Sequence, residues 1–110
     1  MNAIYRMVFG GQSGGGHGIV YVGKGFIIGG HDRGGRFDGH YAEDNGKLRF
    51  EVTLTMESDG VLATGQPAKA GAEINMVADW PLDFADGTSR EIQVDGKPVQ
   101  VVMTKIRDIP

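Results

Sequence analysis

The ten residues KLRFEVTLTM, Lys47 to Met56, alternate between polar and apolar without an error. A period of two is the signature of a half-buried β-strand, with Leu48, Phe50, Val52, Leu54 and Met56 on a dry face and Lys47, Arg49, Glu51, Thr53 and Thr55 on a wet one. The preceding RFDGHY repeats the pattern, Phe37, Gly39 and Tyr41 opposing Arg36, Asp38 and His40. Between the two lies AEDNG, in which Asn45-Gly46 reaches positive φ at little cost. Phe37 to Met56 therefore reads as an antiparallel hairpin, with Ala42, Glu43 and Asp44 on its exposed connection.

The same rule extends to both ends of the chain. Tyr5, Met7 and Phe9 share a face in a first strand, and Val20 with Val22, or Ile19 with Tyr21, face inward in a second. Phe26 and Ile28 lie in a third. A short VLAT strand follows the Ser58–Gly60 turn, and Glu73 to Asp79 alternates through Ile74, Met76 and Ala78. Glu91 to Val94 and Val99 to Ile106 flank Asp95-Gly96, a strong hairpin signal provided that Pro98 sits where its missing N–H is harmless. PLDFADGTSREI holds room for one helical turn after Pro81. About eight strands result.

Eight short antiparallel strands left open would expose unpaired backbone groups at both edges, and closure removes them. The expected fold is all-β, a single antiparallel barrel domain over residues 1–110, with an interior just wide enough for packed side chains or one small ligand. An immunoglobulin-like sandwich is the runner-up, without the long-loop Greek-key spacing. Fourteen of the 19 glycines lie at or before Gly46, yet IVYV and FIIGG between them favour strands. Glycines at turns and corners suit a strongly coiled small barrel.

At 110 residues the chain has the size of one domain. Its formal net charge of -3, from 11 basic and 14 acidic residues, gives nucleic acid no electrostatic footprint. The absence of cysteine excludes disulfides, thiolate metal sites and thiol nucleophiles. MNAIYRMVF is too short and polar for a signal peptide, and no apolar run approaches the roughly 20 residues of a membrane helix. A soluble cytoplasmic protein is expected.

Chemical motifs are sparse. FGGQSGGGHG at 9–18 lacks the lysine and the serine or threonine of a phosphate loop, and GKGFIIGG at 23–30 misses the dinucleotide spacing at Ile28. His17, His31 and His40 match no ligand spacing and read as surface or turn residues. His31-Asp32 with Ser13, Ser58 or Ser89 lacks the context of a triad, and Asp83, Asp86 and Glu91 lack the order of a calcium loop. No catalytic residue, metal or cofactor is expected, and the chain reads as a non-enzyme.

IYRMVF, then GHGIVYVGKGFIIGGHD, then GRFDGHY with an acidic turn before KLRFEV, resembles the GrlR-like negative regulators of type III secretion over about residues 3–56. The resemblance implies a small lipocalin-like (calycin-type) barrel, a homodimer that sequesters a transcriptional activator rather than catalysing a reaction. It also implies a partner-binding acidic run at Glu43, Asp44, Asn45 and Gly46, of which two residues are acidic here.

ADWPLDFADG at 78–87 places Trp80, Pro81, Leu82 and Phe84 in an expected irregular connection. Such an apolar cluster serves either as a plug over a barrel end or as a protein interface. If the inward side chains leave a cavity, the alternative function is a lipocalin-like carrier of a small apolar ligand.

Overall fold

The computed structural model describes residues 1–11 and 14–110 and contains strands and turns without a helix. Eight strands close into an antiparallel barrel in the order β1 (Asn2–Gly11), β10 (Lys97–Asp108), β9 (Asp86–Val94), β8 (Glu73–Pro81), β5 (Lys47–Met56), β4 (Gly35–Asp44), β3 (Phe26–His31) and β2 (Gly14–Gly23), which returns to β1. A separate two-stranded ladder pairs β6 (Gly60–Val61) with β7 (Pro67–Ala68). The runner-up sandwich is thereby replaced by a closed wall.

The dry face of β5 is the barrel's inner wall. Leu48, Phe50, Leu54 and Met56 are buried, and β4 and β8 repeat the phase with Phe37, Ile74, Met76, Ala78 and Trp80. In β2 the inward pair is Val20 and Val22, leaving Ile19 on the outer surface. In β3 the inward residue is Ile27, while Phe26 and Ile28 point outward. The run FII is apolar in both phases, so periodicity could not choose between them.

Asn45 and Gly46, at φ of 51° and 77°, form a two-residue turn, and Asp95 and Gly96 form another at 51° and 79°. Because the first turn is so tight, Ala42, Glu43 and Asp44 belong to β4, not to the connection: Asp44 pairs with Lys47 and Glu43 with Leu48. Pro98 faces Gln93 on β9, and β10 begins pairing with β1 only at Gln100, so its missing N–H costs no ladder bond. Close approach explains an inward glycine in β4. A methyl on Gly39 would collide with the Glu51 carbonyl oxygen and stand 2.8 Å from Val52 Cα, forcing β4 off β5.

Two further expectations are corrected. No helical turn follows Pro81; residues 82–85 form a tight turn in which the Phe84 N–H donates to the Pro81 carbonyl at 3.1 Å, and β9 starts directly at Asp86. The VLAT strand shrinks to Gly60–Val61, because Leu62, Ala63 and Thr64 turn down into the barrel end. Those three are buried and belong to a flap, residues 57–72, that covers one end of the barrel. The Glu57 N–H donates to the Gly34 carbonyl at 2.8 Å, and the Arg33 guanidinium to the Val61 carbonyl at 3.0 Å.

The wall is thinnest between β8 and β9, whose ladder is confined to Met76 with Val94 and Val77 with Gln93. Beyond it the Trp80 indole N–H donates to the Glu91 carbonyl at 3.0 Å, tying the two strands through a side chain.

Candidate functional site

Three places on the barrel can engage another molecule: the β4–β5 tip, the outer face of β2 and β3, and the interior. At the tip, Glu43, Asp44, Asn45 and Gly46 are all exposed. Among the described residues no ion pair or hydrogen bond holds either carboxylate. As successive residues of β4 they leave opposite faces of the strand end, two exposed carboxylates beside the turn that a basic surface can meet, with Lys47 across the ladder from Asp44. Asn45 and Gly46 are committed to the turn by their positive φ and supply shape rather than charge.

The 82–85 turn lies at the same end of the barrel, since Lys47 of β5 pairs with Pro81 of β8. The apolar cluster expected there is split by the fold. Trp80 is part of β8 rather than an irregular connection, and it and Phe84 point into the barrel, whereas Leu82 is 47% exposed and Pro81 half-buried. Phe84 is only 1% exposed, its ring 5.1 Å from Tyr5, 5.4 Å from Phe50 and 5.9 Å from Trp80. The four rings close this end.

On the outer face, Ile19, Phe26 and Ile28 are 56%, 59% and 53% exposed, and Ile28 stands across the ladder from Tyr21. These are large apolar groups held in water by strands whose other face is already buried. The Tyr21 hydroxyl donates to the Asn2 carboxamide oxygen, which fixes that ring at the border of the patch.

The interior contains a cavity of about 100 Å³, lined almost wholly by carbon, with Val20, Leu54, Met76 and Met103 in its wall, Phe84 at one end and Leu62 and Ala63 of the flap at the other. His31 also lines it, correcting its expected place on the surface: β3 continues inward through Ile27, Gly29 and His31. Its ring lies 5.4 Å from Phe9 and 5.3 Å from Phe37. His31 Nδ1 accepts the Arg33 backbone N–H at 3.0 Å, so the neutral ring carries its proton on Nε2. A methyl on Gly35 would overlap that Nε2 and stand 2.5 Å from Leu54 Cδ1, so the missing side chain makes room for the imidazole.

Burial holds the His31 imidazole below its usual pKa, against the opposing pull of Asp32. The unfolded chain thus takes up a proton near pH 6.5 that the folded chain resists, and stability falls as pH drops through and below that value. His31→Phe is expected to flatten the decline between pH 7 and 5 in urea titrations; an unchanged slope would place the loss elsewhere.

The other candidate groups do not converge. His17 Nδ1 lies 3.5 Å from Asp32 Oδ2, and the His17 backbone N–H, which donates to Asp32 at 3.0 Å, is the main reason this carboxyl sits below its usual pKa. His40 meets Glu51 at 3.0 Å across the strand pair. Asp86 is held by the Thr88 N–H and by Arg90, and Glu91 accepts from Gln93. No three His, Cys, Asp or Glu side chains among the described residues could hold a metal ion. Ser13, weighed for a triad, lies outside the described residues. No family model, no curated protein and no solved structure matches the chain.

The flap and the inward His31 are the features that sequence reasoning missed. A signal existed for the flap, since QPAKAGA breaks every period between β5 and β8; His31 follows the phase of Ile27, four residues earlier, which the apolar run FII leaves open in the sequence.

Proposed function

We propose that the protein is a non-enzymatic, cytoplasmic binding module that regulates by sequestering a protein partner, in the manner of the GrlR-like negative regulators of type III secretion it resembles. The observation that carries this reading is the β4–β5 tip, where Glu43 and Asp44 are exposed and unpaired beside a rigid Asn45-Gly46 turn. A preformed acidic prominence steers a basic partner and suppresses acidic ones, acting mainly on the association rate. The partner's matching surface is then basic, as on a regulator that itself binds nucleic acid. The exposed apolar face of Ile19, Phe26 and Ile28 supports pairing of two copies into a homodimer, which would cover it.

The expected result is a partner whose retention on the immobilised chain weakens with rising salt. The double variant Glu43→Lys, Asp44→Lys should cut retention at least tenfold while leaving thermal stability within about 0.5 kcal/mol, because both side chains are solvated. Equal retention by the variant would remove the tip from the reading.

A further inference from the structure

The interior of the barrel has a chemistry of its own, independent of the partner reading. Its wall is almost wholly carbon drawn from all eight strands of the barrel, with Phe84 towards one end and Leu62, Ala63 and Arg33 towards the other. At about 100 Å³ the space falls well short of the roughly 300 Å³ at which drug-sized sites begin. It is closer to the apolar cavity of about 150 Å³ that stays dry and takes up benzene. An extended acyl chain does not fit, whereas a molecule of one small ring does.

The His31 imidazole gives the space a direction. His31 Nε2 occupies the volume that an inward side chain at Gly35 would fill, beside Leu54. Its other nitrogen is already used by the Arg33 backbone N–H, so Nε2 is the donor. Among the described residues nothing accepts from it. The Phe9 and Phe37 rings flank the imidazole, which is half-buried. A donor at the edge of a carbon wall favours a ligand that brings an acceptor, because a purely apolar ligand seated over the N–H would cost it its hydration. A charged ligand would itself lose its hydration to the same carbon wall.

We propose that the barrel interior is a binding site for a compact, neutral, single-ring molecule bearing one hydrogen-bond acceptor, seated with that acceptor on His31 Nε2–H and its apolar body against Val20, Leu54 and Met76. Entry runs beneath the 57–72 flap, whose apolar anchors are Leu62 and Ala63. Gly11 permits the flap to settle, since a methyl there would stand 2.5 Å from the Ala63 carbonyl oxygen.

The test titrates the full chain by NMR with two ring-sized probes, cyclohexanone, which carries an acceptor, and methylenecyclohexane, which has the same shape without one. Both should saturate with shifts confined to methyl groups lining the cavity, such as Leu54 and Met76. Only cyclohexanone should move the His31 Nε2–H proton downfield. His31→Phe should weaken cyclohexanone about fivefold to tenfold, the usual worth of one hydrogen bond, and leave methylenecyclohexane within about twofold. Absence of cavity shifts with either probe overturns the site. Equal movement of the Nε2–H proton by both probes in the wild type overturns the role of His31, and that readout stands even if the variant does not fold.

Discussion

Phe50→Ala lowers the free energy of unfolding by about 3 to 5 kcal/mol, while Arg49→Ala, one residue earlier on β5, shifts it by no more than about 0.5 kcal/mol. The two side chains leave the same strand in opposite directions. Phe50 is 5% exposed and packs its ring 5.3 Å from Trp80, 5.4 Å from Phe84 and 6.2 Å from Tyr41. Truncation removes the apolar contact and leaves a void that the closed wall cannot collapse to fill. Arg49 pairs with Asp79 at 3.5 Å and Glu51 at 3.8 Å, but with side chains more than half exposed these pairs contribute little. Urea denaturation of both variants decides the matter: comparable losses would mean that the wet and dry faces of β5 had been assigned wrongly.

Phe84→Ala is expected to cost a similar 3 to 5 kcal/mol or so, although Phe84 comes from a turn rather than a strand. At 1% exposure it is among the most deeply buried side chains, and its ring is the stopper of one barrel end. Its loss also admits water to the only tryptophan, so the folded variant's Trp80 emission should shift to the red. An unchanged spectrum with unchanged stability would show that Phe84 does not close the barrel. Because Phe50 and Phe84 touch, the double variant should lose less than the sum of the single losses.

How much of this was legible before the structure depends on how strictly a segment obeyed one period. β5 is polar on every alternate residue and β8 on all of them but Val77 and the terminal Pro81, so their inward faces could be read directly. β3 was not, because Phe26, Ile27 and Ile28 are apolar in succession, and only pairing Ile27 with Val22 and Gly39 fixes which one enters the core. Turn chemistry located Asn45-Gly46 but left the strand end uncertain by three residues, since nothing local in AED distinguishes a strand end from a loop. The aromatic cluster at 80–84 was visible as composition. Its division into inward Trp80 and Phe84 and outward Leu82 follows from the turn at 82–85, a tertiary fact. The flap was least legible, because Leu62 and Ala63 are buried by the barrel end they cover rather than by any periodic pattern. The acidic tip was readable as two carboxylates; that neither is engaged in an ion pair, although Lys47 stands across the ladder from Asp44, needed the fold.

The most direct test of the account is native mass spectrometry of the tagged chain, gently purified from its own organism alongside the Glu43→Lys, Asp44→Lys variant. The account predicts a dimer carrying a stoichiometric basic protein that the variant fails to retain. A chain that arrives with no protein bound, or one whose bound protein is indifferent to reversal of the two charges, would contradict it.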